Sequence, residues 1–186
     1  SFVVIENTLN FIDSYVTKTP KSVKLKPEDR WLISRLNSVV ESATENCKNY
    51  NMHKAAMDIH NFIINDLSRW YIKLVRDRVW PSYTGKDKQA ALYALSESLK
   101  TAVKLLAPFT PFLAEHGYTT ARKLGERRES VHLTAWPKAD KKMIDKKLEG
   151  QMKLVQEIIE VVNSLRKENG LKLRWPIEKV VVETKD

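Results

Sequence analysis

One cysteine in 186 residues leaves no internal disulfide to be made. Cys47 follows Val39, Val40 and Ala43 at core spacing, so it reads as a small buried hydrophobe in a chain compatible with a reducing compartment. Glycine is nearly as scarce. Gly85, Gly117, Gly125, Gly150 and Gly170 stand alone, which excludes a phosphate-cradling loop. No apolar run is long enough to span a bilayer. The opening SFVVIENTLNF lacks the basic start and cleavage site of a signal peptide. It reads as a helix entered part-way, as if the chain were cut from a longer protein. No serine lies in a nucleophile-elbow context. His53 and His60 lie seven apart on one helical stretch, yet no carboxylate–His pair at di-metal bundle spacing accompanies them. His116 and His132 belong to no ligand set. Neither a catalytic constellation nor a metal site is expected, and that absence points towards binding.

What the chain has in excess is positive charge: 32 Lys and Arg against 23 Asp and Glu, a net charge of +9. Such an excess favours an anionic partner, nucleic acid or a membrane surface. It is spread along the chain, with no polybasic tail and no basic membrane-surface helix, so no membrane partner is expected.

Helical periodicity dominates the hydrophobic pattern. Ile5, Leu9, Ile12 and Val16 mark a first helix, and Lys18 to Lys26 a polar link. Pro27, with Glu28 and Asp29 behind it, opens a second helix that runs to about Tyr50. Trp31 is expected in or near its core. Asn51 caps a third helix that runs to about Val79. Leu92, Leu95, Leu99, Val103 and Leu106 face the core from a fourth. Pro108 and Pro111 break it, with Phe109 and Phe112 as core plugs, and a fifth follows to Lys123. Ser130 to Trp136 alternates like a short strand or extended crossing, with Trp136 as a packing anchor. A sixth helix ends at Gly170, and Ile177 to Glu183 is strand-like. The expected fold is all-α: an antiparallel helical bundle over residues 1–137, then a C-terminal helix-plus-strand appendage over 138–186.

Within the third helix, Ala56, Ile59, Ile63, Leu67, Trp70 and Leu74 form the expected core stripe. Arg69, Lys73, Arg76 and Trp80 form a second stripe, about a third of a turn away on an ideal helix. Arg78 lies further round. Cations beside an aromatic face suit unpaired nucleic acid, which offers phosphates and flat bases; a solvated basic flank with Trp80 under a loop has the same pattern. Lys172, Arg174 and Trp175 form a second candidate patch, either an RNA contact or the basic edge of a strand. Arg35 is placed to face a ligand or to pair with a carboxylate, with Asp66 as a candidate.

Four segments, PEDRWLISRL (27–36), NDLSRWYIKLVRDRVW (65–80), LLAPFTPFLAE (105–115) and SVHLTAWP (130–137), resemble in this order the anticodon-binding region of class I aminoacyl-tRNA synthetases. They are similar to the branch that activates isoleucine, valine and leucine. GLKLRWPIEKVVV (170–182) tilts the likeness towards isoleucyl-tRNA synthetases of an archaeal or eukaryote-like kind. NTLNFIDSYV (7–16) resembles the helix that joins the catalytic body to this region, so the likeness covers nearly the whole chain.

The resemblance implies a cytoplasmic, tRNA-binding module of an isoleucine–tRNA ligase that works beside the parent's catalytic and C-terminal regions. Arg69, Lys73, Arg76, Arg78, Trp80, Lys172, Arg174 and Trp175 would contact tRNA. The family's HIGH-type and KMSKS-type motifs are missing; KADKK at 138–142 is only superficially similar. This stretch should therefore hold no cofactor, and ATP would be used by an absent catalytic domain. The alternatives are the equivalent valyl domain or a helical interaction scaffold that binds no RNA.

Overall fold

A computed structural model describes residues 2–21 and 23–183. Six α-helices and one π-helical segment form most of the first of two compact units, which ends at Asp145. They are α1 (Phe2–Tyr15), α2 (Pro27–Lys48), α3 (Met52–Asn61) with its continuation through a π-helical segment (Phe62–Tyr71) into α4 (Ile72–Val79), α5 (Lys88–Leu106) and α6 (Pro111–Lys123). The second unit starts at Lys146 and contains α7 (Lys146–Glu168). The division between the two units falls after Asp145.

α2 and the long helix after it lie antiparallel, and their polar cross-links run in reverse register. Asp29 meets Arg78 at 2.9 Å, Arg35 Nε donates to Asp66 at 3.0 Å, and Ser42 donates to Asp58 at 2.6 Å. Trp31, Leu32, Leu36, Val39 and Val40 from α2 are buried with Leu95, Leu99 and Val103 from α5. Ile5, Leu9 and Ile12 of α1 close the core from the other side. Gly117 permits this closure: a Cβ there would sit 2.8 Å from Val103 Cγ1 and 2.9 Å from Leu9 Cδ1.

Three expectations are corrected. Phe112 is 91% exposed, not a core plug, and Phe109 is only half-buried. α6 begins at Pro111 and buries Ala114, Gly117, Tyr118 and Ala121; Phe112 precedes Ala114 by two residues and so points roughly 200° away, into solvent. Of the two readings of 130–136 the strand falls: Val131–Leu133 is a 3-10 turn between extended residues Ser130 and Thr134, anchored where Glu115 accepts from Ser130 Oγ and Val131 N–H. Residues 171–183 hold no strand: among the described residues no second extended segment forms a ladder with them. Trp136 is an anchor as expected: its Nε1 donates to Thr44 Oγ1 at 2.8 Å.

Candidate nucleic-acid interface

The π-helical segment decides which side chains reach solvent on the third helix. Ile72 N–H bonds back to the carbonyl of Leu67, five residues earlier, so each turn takes up more residues than an α-turn. Buried positions then recur every four: Ile59, Ile63, Leu67, Tyr71, Val75 and Val79, all at 2% exposure or less. On a regular α-helix that spacing would drift by about 40° per step. The wider turns absorb the drift. The expected core stripe holds at Ile59, Ile63 and Leu67 and fails on this account at its other positions: Ala56 and Trp70 are half-buried and Leu74 is 48% exposed, while Tyr71 and Val75 are buried.

The outer stripe survives the shift. Arg69, Lys73, Arg76 and Trp80 are all exposed. Arg69 donates a long bond to Asn65 Oδ1 at 3.4 Å. Among the described residues Lys73 and Arg76 have no hydrogen-bond or ion-pair partner. Trp80 ends α4 with one face against Tyr15 of α1, ring centres 5.8 Å apart, and Tyr15 rests against Phe11 at 4.7 Å. Its remaining surface, 47% of the residue, is open. Beside it lies a cleft of about 500 Å³ lined by Arg76, Asp77, Trp80, Ser82 and Tyr83.

The turn that carries Trp80 is fixed from behind. Lys88 Nζ donates to the carbonyls of Trp80, Pro81 and Tyr83 at 2.8, 3.3 and 3.2 Å. Tyr83 donates to Asp87 Oδ1 at 2.7 Å, and Lys26 pairs with Asp87 Oδ2. These two contacts, that with Lys26 first, hold the Asp87 carboxyl at about 2.

Arg78 does not join the stripe. It is 9% exposed and bridges three acidic groups: Glu28 at 2.7 Å, Asp29 at 2.9 Å and Asp87 at 3.2 Å. Asp29, fully buried, also accepts from Tyr71 Oη at 2.7 Å and from the Lys26 backbone N–H at 3.0 Å. Burial first, then the charge of Asp29, pushes the Tyr71 phenol well above its ordinary value, so it stays a donor. Arg78 thus ties α2, α4 and the start of α5 together behind the stripe, and offers no free donor to solvent from that position. Arg35 resolves likewise, paired with Asp66.

Sequence reasoning missed three features here. Tyr15 backs Trp80 from another helix, Tyr83 walls the cleft, and the lysines of the α1–α2 link gather at one place. Lys18, Lys21, Lys24 and Lys86 are exposed around a cavity of about 970 Å³ whose rim also includes Lys26 and Asp87. Only the density of lysine between 18 and 26 hinted at this. Thr19 pins the link by donating to the Leu124 carbonyl at 3.1 Å and by contacting Ser96 Oγ.

The second unit holds the other expected patch. Gly170, at φ +67°, takes the left-handed turn that ends α7. Arg166 Nη2 then donates to the carbonyls of Lys172 and Trp175 at 2.5 and 2.6 Å, and Lys172 Nζ lies 5.6 Å from the Trp175 ring centre. Arg174 and Trp175 are exposed.

Comparison with known proteins places this arrangement. The profile of the family described as the anticodon-binding domain of tRNA ligase matches residues 29–182. The chain is 44% identical over 162 residues to the isoleucine–tRNA ligase of Methanopyrus kandleri, covering 87% of this chain and 15% of that protein. It is 38% identical over 167 residues to that of Thermococcus kodakarensis, covering 90% and 16%. Against the Pyrococcus abyssi enzyme it is 35% identical over 185 residues, covering 98% and 17%. It therefore spans only 15–17% of the length of these curated relatives. A helical bundle with this matched stretch, carrying an exposed basic and aromatic face, belongs to the family of anticodon-binding domains of tRNA ligases.

Proposed function

We propose that this chain is the tRNA-recognising part of an isoleucine–tRNA ligase and grips an anticodon stem-loop on the outer face of α4. The observation that carries the reading is the pairing of unpartnered Lys73 and Arg76 with a half-open Trp80 on a turn stapled by Lys88. An anticodon loop presents splayed bases on a charged backbone, and RNA loops are read by stacking and base-edge bonds. The cations neutralise phosphates, and Trp80 provides a surface prepared before the RNA arrives. Lys172, Arg174 and Trp175 are a second contact set. The relatives' names support isoleucine as the amino acid. ATP use and amino-acid activation would lie in parts of such a ligase outside the matched stretch. No helix among the described residues is long and apolar enough to cross a membrane, and a cytoplasmic setting accords with the tRNA partner.

The test is titration of labelled isoleucine, valine and unrelated tRNAs with this chain at low and moderate salt. The reading requires binding that falls steeply with salt and prefers the isoleucine tRNA. Equal binding to all three removes the amino-acid assignment. No binding at low salt removes the RNA reading itself.

A further inference from the structure

The RNA-facing surface of α4 contains one group that a phosphate grip does not want. Asp77 is exposed and, among the described residues, has no hydrogen-bond or ion-pair partner. It sits in the last turn of α4, where the helix dipole disfavours an anion. It also sits among cations that would hold phosphate better without it. A carboxylate there helps neither the helix nor the backbone contact. It is free to accept from a ligand group that presents N–H donors.

The cleft supplies such a setting. Asp77 lines it together with Arg76, Trp80, Ser82 and Tyr83. At about 500 Å³ it lies within the size range of small-ligand sites. Asp77 precedes Trp80 by three residues, a spacing that places both on one side of the helix end. A base stacked on the open face of Trp80 would have Arg76 and Asp77 within the same cleft to meet its edge. Arg76 has donors only, and the ionised Asp77 has acceptors only. Both line the cleft, about 100° apart round the helix, and between them they match an edge that reads acceptor, donor, donor. Among the four RNA bases guanine alone presents that edge, with O6, N1–H and the N2 amino group in order. Its two adjacent donors fit the two carboxylate oxygens. Adenine and cytosine offer one amino group beside a ring acceptor, and uracil one N–H between two carbonyls.

On the reading that α4 faces an RNA loop, we propose that Asp77 determines specificity and selects guanine for the cleft beside Trp80. The probe is a short RNA hairpin with a single guanine at one loop position, compared with hairpins bearing inosine, adenine, cytosine or uracil there. The position is scanned round the loop against the intact chain and the Asp77→Asn variant. Inosine keeps O6 and N1–H but lacks the N2 amino group. At one position the intact chain should prefer guanine over inosine by about tenfold, the loss of one charge-assisted bond. Asp77→Asn should bring that ratio to about one, since its single acceptor oxygen cannot receive both donors, while adenine hairpins, whose ring nitrogen is an acceptor, should bind as tightly as before or tighter because a repulsive charge is gone. A purely structural Asp77 would weaken all hairpins together. Salt-sensitive binding with no guanine preference at any position overturns the inference and leaves the RNA reading intact, as does a preference that survives Asp77→Asn. Absence of any salt-sensitive binding overturns both.

Discussion

Removing the guanidinium of Arg78 strands the fully buried carboxylate of Asp29, which keeps only Tyr71 and one backbone donor. Arg78→Ala should therefore destabilise the protein by about 3–5 kcal/mol, read as a shift in the denaturant midpoint. Two residues earlier, Arg76 is exposed and unpartnered. Arg76→Ala should leave that midpoint within about 0.5 kcal/mol of the parent. It should lower tRNA affinity and reduce the slope of log affinity against log salt by about one contact's share. Trp80→Ala should weaken binding by roughly 1–3 kcal/mol, measured by titration, through loss of a stacking face. Sequence inspection separated Arg76 from Arg78 by angle alone. It had no means of seeing that the acidic start of α2 folds back against the end of α4. That contact spans 49 residues of chain, Asp29 to Arg78, and leaves no periodic trace.

At the scale of elements, helix ends and turns carry the testable strain. Tyr50 ends α2 at φ +58°, a left-handed conformation that costs a side chain about 1 kcal/mol. It is 92% exposed, so little packing is lost on truncation. Tyr50→Gly should raise stability by up to about 1 kcal/mol, visible as a higher Tm. The Asp87 contacts at the start of α5 have a pH signature. Folding favours the ionised carboxyl, at about 2 in the native state. Its contribution is complete above the unfolded value of about 3.9 and is lost as the pH falls through the folded one. Asp87→Asn should remove that part of the acid limb between about pH 4 and 2 while leaving its shape near neutrality unchanged. Most helices were legible because apolar residues recur at three and four, and capping residues such as Pro27 and Gly170 mark their ends. The π-helical segment was not legible. Its recurrence of four overlaps the α-pattern, so Trp70 and Leu74 looked as suitable for the core as Tyr71 and Val75. The strand readings failed for another reason: alternation over 130–136 and 177–183 describes a chain that is able to pair, not one that has a partner.

Across the whole molecule the net charge of +9 gains a location. Lys18, Lys21, Lys24 and Lys86 gather at one cavity, and Arg69, Lys73 and Arg76 line the outer face of the third helix. Neither group is needed to satisfy the buried Asp29 or the half-buried Glu28, Asp66 and Asp87, which pair with Arg78, Arg35 and Lys26. Charge that the fold does not consume is free to act on a partner. The central claim is that the partner is an RNA loop held on α4. The most direct measurement is titration of labelled isoleucine tRNA with the intact chain and with the combined Lys73→Ala, Arg76→Ala and Trp80→Ala variant, at matched low salt, with helical content checked by circular dichroism. The account predicts an unchanged fold and an affinity lower by about a hundredfold or more. Equal affinity for a folded variant and the parent would contradict it.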